Sequence, residues 1–266
     1  MSGTAGPAPL AVITGASKGI GLELAKQFAE HGHDLVVVGS SERIHAVVPE
    51  LAGYGVSVEP IQADLRTRDG VLEVWRTVST RVVDVLALNA GVGIGGDFGE
   101  TSLEDELDVI ALNVVSVVHL AKLALPRMRE RGAGRVLITS SEASLMPAPF
   151  LAVYGASKAF VQSFAEAIRE EVREDGVTVT TLRPGPTDTD FFRRADMLDT
   201  KAAQDDETDD PALVARQAYE AVMDGDHRVL AGSFKHRAQT AIAEHLPEPA
   251  RAKMHRTLSE PGSADD

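Results

Sequence analysis

Short β-branched runs alternating with longer amphipathic stretches constrain this chain more than any other feature. The runs "LAVITG" (10–15), "DLVVVG" (34–39), "VSVEPIQA" (56–63), "VDVLALNAG" (83–91), "GRVLITSS" (134–141), "VTVTTLRPG" (177–185) and "HRVLAG" (227–232) read as strands. Between them apolar residues recur at i, i+3 and i+4, as at Leu107, Ile110, Ala111, Val114, Val117, Val118 and Ala121. Strands apolar along nearly their whole length are buried on both faces, and intervening helices supply the crossovers that parallel strands need. The pattern therefore predicts an α/β fold: a doubly wound sheet of seven parallel strands in a single domain spanning 10–235. Residues 1–9 are expected to be a flexible lead-in, and 236–266 a helical extension and tail. Two short helices there break around Pro247 and Pro249 and are expected to cover the active-site mouth or an interface, and "EPGSADD" at the end reads as disordered.

Composition narrows the chemistry. A net charge of -14 argues against nucleic acid or an anionic membrane surface as partner, since both need a basic footprint. The chain has no cysteine, which removes disulfides, thiol catalysis and thiolate metal sites. Its histidines show no helical zinc spacing, so no metal is expected. The N-terminus has no basic segment followed by an apolar core, and no apolar run reaches the ~18 residues of a membrane span, so a cytoplasmic protein is expected. The acidic run "DDETDD" (205–210) reads as solvated loop.

In sheets of this kind ligands bind beyond the carboxyl ends of the strands. The first strand ends in "TGASKGIG", where Gly15, Gly19 and Gly21 allow a tight turn into a helix whose N-terminal amides can hold a pyrophosphate. In "VYGASK", Tyr154 and Lys158 stand four residues apart and share a helix face. A tyrosine titrates near pH ~10, and a neighbouring cation favours its phenolate. By itself such a pair is ordinary helix surface; its weight comes from the other motifs.

Taken together, "TGASKGIG", "LNAG" (88–91), Asn113 in a long helix, Ser141 after a strand, "YGASK" (154–158) and "RPGPTDT" (183–189) occur in the order and approximate spacing of the short-chain dehydrogenase/reductase family, which this chain resembles over residues 10 to about 235. The resemblance implies a Rossmann fold and an NAD(P)(H)-dependent carbonyl reductase, with a ketone or aldehyde and an alcohol as its small-molecule pair. It gives Tyr154 the role of proton donor and acceptor. Lys158 would lower the Tyr154 pKa and bond the nicotinamide ribose, Ser141 would hold the substrate oxygen, and Asn113 would polarise a water in a relay to Lys158. For the cofactor it implies Gly15, Ser17, Lys18, Gly19, Ile20 and Gly21 around the phosphates, and Asp64 with Leu65 at the adenine. Asn89, Ala90 and Gly91 would lie along the adenosine ribose, with Thr187 and Thr189 at the carboxamide and phosphates and Pro184 and Gly185 shaping the nicotinamide pocket. Asp64 reads equally as a helix cap.

No carboxylate stands at the tip of the second strand, Gly39, while Lys18, Ser40 and Arg43 lie close by, so NADP(H) is expected over NAD(H) despite Glu42 nearby. Leu88 replaces a common asparagine, and Glu142 replaces a small residue after Ser141; a solvent-facing carboxylate is its simpler reading, contact with a polar substrate group the other. The segment of about 188–212 reads as a substrate flap with an apolar inner face at Phe191, Phe192, Met197 and Leu198. Apolar residues on more than one face of the helices carrying Asn113 and Tyr154 imply a homodimer or homotetramer. Two other functions fit the fold: an epimerase or dehydratase, and a non-catalytic NADP-binding regulator. Retention of Ser141, Tyr154 and Lys158 favours catalysis.

Overall fold

The computed structural model describes residues 7–204, 208–243 and 246–265. The seven expected strands all form: β1 (Leu10–Thr14), β2 (Asp34–Gly39), β3 (Val58–Gln62), β4 (Val85–Leu88), β5 (Gly134–Thr139), β6 (Val177–Pro184) and β7 (Arg228–Ala231). They make one sheet in the order β3-β2-β1-β4-β5-β6-β7, with every neighbouring pair parallel. The sequence runs overshoot at their carboxyl ends. β4 stops at Leu88 and β5 at Thr139, and the residues beyond, Asn89–Gly91 and Ser140–Ser141, turn off into the crevice.

Twelve helices surround the sheet among the described residues: α1 (Gly19–Glu30), α2 (Arg43–Ala46), α3 (Val48–Ala52), α4 (Arg68–Val78), α5 (Leu103–Ile110), α6 (Ser116–Arg131), α7 (Ala152–Glu171), α8 (Phe191–Arg194), α9 (Lys201–Gln204), α10 (Pro211–Asp224), α11 (Phe234–Ala243) and α12 (Glu248–Ser259). Alternate strand residues point to opposite faces, so each strand feeds two cores. Val12, Val36 and Val136 pack with Val74 of α4, Leu120 of α6 and Val161 of α7 on one face. On the other, Ile13, Val37 and Leu137 meet Leu24 and Phe28 of α1 and Val214 and Val222 of α10. Each fully buried large side chain contributes about 1.5–3 kcal/mol. This two-sided burial is the physical reason the strands read as continuous apolar runs.

Strand order reverses between β1 and β4, and Thr14 ties that point together. Its Oγ1 donates to the Ala87 carbonyl at 3.2 Å and accepts from the amides of Asn89 at 2.9 Å and Ala90 at 3.0 Å. The crevice opens directly above these bonds.

Four expectations are corrected. An 18-residue window within Leu103–Arg131 reaches a mean hydropathy of 1.8, long and apolar enough to cross a membrane, where no such run was expected. In the fold this run is α5, a π-helical turn (Ala111–Val115) and α6; Val109, Val117, Leu120 and Met128 face the core. Residues 260–265 are folded, not loose: they end in a 3-10 turn (Ser263–Asp265), the amide of Gly262 donates to Asp199 Oδ2 at 2.7 Å, and the amide of Lys201 donates to Ser263 Oγ at 3.1 Å. The lead-in is held at Pro9, whose carbonyl accepts from the Asp34 amide at 2.9 Å. Of the acidic run, 205–207 lie outside the described residues, while Asp209 is 4% exposed and pairs with His236 Nδ1 at 2.9 Å. Asp210 caps α10 by accepting from the Ala212 amide at 2.8 Å.

Candidate active site

A cleft of about 640 Å³ runs along the carboxyl ends of the strands. At one end the chain leaves β1 and enters α1. Gly15 has φ +70° and Gly19 φ +56°, a region open to glycine and strained for other residues. A Cβ on Gly21 would stand 2.2 Å from the Gly15 carbonyl oxygen, so the turn closes only with glycine there. Lys18, the N-cap, makes no side-chain cap bond, and the first turn of α1 holds no acid. The helix thus presents uncapped amides to the cleft, and a pyrophosphate fits this cradle.

Most of the expected cofactor residues line this cleft: Gly15, Ser17, Lys18, Gly19, Ile20, Gly21, Ser40, Asp64, Leu65, Asn89, Ala90, Gly91, Tyr154, Lys158, Pro184, Gly185, Thr187 and Thr189. Arg43 does not; its guanidinium lies 3.8 Å from Asp190. Asp190 also pairs with Lys18 and, at 2.9 Å, with Arg193, and the Lys18 bond is the largest influence holding its carboxyl well below the usual carboxylate range. This partner of the two cations was not foreseen. Asp64 is not the cap of α4; Thr67 is, accepting from the Gly70 amide at 3.0 Å. The Asp64 carboxylate instead accepts from Arg66, at 3.0 Å from its Nε and 2.8 Å from its Nη2, which lowers its pKa. Asn89 spends its side chain on structure: its Nδ2 donates to Thr14 O at 3.2 Å and its Oδ1 accepts from Thr139 Oγ1 at 3.2 Å.

At the centre, α7 delivers Tyr154 and Lys158 beside Ser141, the N-cap of the short turn Glu142–Leu145. Tyr154 and Ser141 both line the cleft, and Ser141 Oγ accepts from the Ala143 amide at 3.2 Å. Lys158 is 4% exposed; its Nζ donates to the Thr139 carbonyl at 2.9 Å and stands 5.8 Å from the centre of the Tyr154 ring. A Cβ on Gly91 would meet Lys158 Nζ at 3.1 Å, so that glycine makes room for the ammonium.

Electrostatics here differ from the expectation. Burial pushes the Tyr154 phenol above its ordinary value, the neighbouring Ser141 hydroxyl pulls it back in part, and no lowering by Lys158 appears. The reason is that Lys158 is itself desolvated, with its own pKa drawn down to about 8, and turned to a backbone carbonyl. Asn113 is also placed differently. It is 1% exposed on the π-helical turn, outside the cleft lining, and its amide makes three hydrogen bonds: Oδ1 accepts from Val92 N at 3.0 Å, and Nδ2 donates to Val92 O and to Ser157 Oγ, both at 2.9 Å. It braces the strand end beside Lys158 through both of its bonds to Val92.

The substrate end is walled by the flap and the C-terminal helices. The Phe191 ring centre lies 5.0 Å from that of Tyr154 and 5.6 Å from that of Phe192. Met197 is 1% exposed against Ala148 and Leu151, whereas Leu198 faces outward. Glu142 is not solvent-facing: it lines the cleft, its Oε1 accepts from Thr240 Oγ1 at 2.5 Å, and burial raises its pKa. α12 adds His255, Leu258 and Ser259 to the lining, docked by a hydrogen bond from Arg251 to the Leu145 carbonyl and by Arg256 over the Phe150 ring at 5.1 Å. Sequence reasoning missed these residues, and no local signal marks them, since contacts between 251–256 and 145–150 are purely tertiary.

Comparison with known proteins agrees with this geometry. The family described as short chain dehydrogenase matches residues 9–198. Oxidoreductase UcpA of Salmonella typhimurium is 34% identical over 215 residues, 80% of this chain and 79% of that one. The NADP-dependent 3-hydroxy acid dehydrogenase YdfG of Salmonella typhi is 33% identical over 180 residues, 66% of this chain and 71% of the other. A short-chain dehydrogenase from Sphingobium yanoikuyae, solved with NADPH, superposes with a TM-score of 0.80 at 26% identity, covering 90% of this chain and 96% of that one.

Proposed function

Because the chain belongs to the short chain dehydrogenase family, and so to the NAD(P)-dependent oxidoreductases acting on CH–OH groups, we propose that it reduces a ketone or aldehyde to an alcohol with NADPH, and that Tyr154 gives the proton. The observation that carries this reading is the juxtaposition of the half-buried Tyr154, beside Ser141 and backed by Lys158, with a glycine cradle at the other end of the same cleft.

The bound nicotinamide supplies the hydride. The remaining work falls to the chain. A phenol raised by burial keeps its proton at neutral pH, which suits a donor to a carbonyl oxygen. Ser141 holds that oxygen and stabilises the charge developing on it. Lys158, at about 8, carries its charge at neutral pH and offsets the negative charge left on Tyr154 after transfer. Asn113 positions Val92 and Ser157 around them.

Preference for NADPH is supported by Gly39 where an acid would select NAD, with Lys18 lining the cleft nearby although paired with Asp190. The NADP-dependent relative and the NADPH-bound neighbour point the same way. Phe191, Phe192 and Met197 suit a medium-sized apolar ketone. Phe98, Leu103, Leu107, Ile110, Val115 and Phe160 leave an exposed apolar area along α5 and α7, which supports self-association. Oxidation of NADPH and NADH with a panel of ketones and aldehydes tests the reading. Turnover faster with NADPH is expected. Tight NADPH binding without turnover of any carbonyl would make the protein a regulator instead.

A further inference from the structure

Glu142 stands one residue beyond Ser141 and lines the same cleft. Its Oε1 is held by Thr240, a residue of α11 that is 5% exposed. Among the described residues no other group donates a hydrogen bond to this carboxylate, although an ionised carboxylate can accept about four. A Cβ on Gly185 would lie 3.1 Å from Oε1 and 3.3 Å from Oε2, so both oxygens sit against the wall formed by the end of β6. The site therefore contains a half-buried acceptor beside the hydroxyl that holds the reacting oxygen, with one oxygen fixed by Thr240 and the other without a protein donor among the described residues.

A half-satisfied acceptor on a cleft wall discriminates between ligands, since a ligand with a donor completes it and a ligand with an anion is repelled by its charge. Building on the reductase reading, we propose that Glu142 is a specificity-determining residue: its Oε2 accepts from a hydroxyl on the carbon next to the reacting carbonyl, and its charge turns away a carboxylate at that carbon. Thr240 is a positioning residue, and through it α11 takes part in substrate choice. Arg194 lines the cleft on the flap side and would draw an anion; the keto acid comparison decides which of the two charges governs.

The test uses butyl and octyl skeletons, each as the plain 2-ketone, the 1-hydroxy-2-ketone and the 2-oxo acid, with NADPH. Wild type is expected to show a kcat/KM for hydroxyketone over oxo acid of about tenfold or more. Glu142→Gln, which keeps an acceptor for Thr240, is expected to lower that ratio about tenfold, chiefly through KM. Thr240→Val should give a smaller fall in the same direction with kcat retained, as a misplaced carboxylate would. A wild type that prefers the oxo acid, or a ratio unchanged by Glu142→Gln, overturns the proposal while the reductase reading stands. Failure of wild type to turn over any of the six compounds while binding NADPH overturns both. NADPH fluorescence on each variant reports an intact cleft.

Discussion

Lys158 carries its ammonium into a site where one backbone carbonyl, that of Thr139, replaces bulk water. Its pKa falls from 10.5 to about 8, so between those values the unfolded chain binds the proton that the folded chain has released. Stability of the cofactor-free protein therefore rises with pH across that window, by an amount on the order of 3 kcal/mol. Tyr154 acts with the opposite sign only above pH ~10, because its raised pKa leaves it protonated in the fold after the unfolded chain has ionised. Lys158→Met is expected to stabilise the cofactor-free protein at pH 7 and to lose that advantage by pH 10; urea unfolding at both values checks it. At this scale the spacing of Tyr154 and Lys158 was legible, because four residues along a helix fix a shared face. The direction of the Tyr154 shift was not. It depends on how much water the surrounding elements exclude, and that is decided by Phe191 and Met197, more than thirty residues further along the chain.

Elements show the same division. The seven strands were legible because burial on both faces leaves a continuous apolar run, and their ends were overrun because the residues that turn into the cleft, such as Ala90 and Ser140, are as compatible with a strand as with a turn. The start of α10 had a local signal that charge density masked: Asp210 precedes Pro211, a capping acid followed by a proline at the first helical position. Asp210→Ala is expected to cost about 1 kcal/mol, measured as a shift in the denaturation midpoint. Asp209 gave no such cue. Its burial follows from Ser233, whose amide donates to Oδ1 at 2.8 Å, and from His236, both more than twenty residues away in α11 and the turn before it. α11 and α12 were recognisable as helices from the prolines between them and the active-site mouth was one of two places they could cover, but the residues they dock on, 142–150, were not legible, since nothing in either segment specifies the other.

For the whole molecule, parallel strands and crossovers followed from the alternation of elements, and the crevice at the β1–β4 reversal followed from the fold class. What lies outside the chain is approached through its surface. Phe160 is 47% exposed on α7 and Ile110 39% exposed on α5, in an apolar area shared by the two helices. If this area joins subunits, Phe160→Glu shifts the protein to a smaller species, because a charge buried at an interface without a partner is costly; light scattering on wild type and variant gives the answer. The central claim is that Tyr154 donates the proton in a cleft that binds NADPH. Tyr154→Phe removes only the phenolic hydroxyl, and single-turnover oxidation of bound NADPH by a substrate ketone measures its effect directly. The account predicts a loss of about 10²-fold or more in rate with NADPH affinity unchanged; a variant that turns over at a rate close to wild type contradicts it.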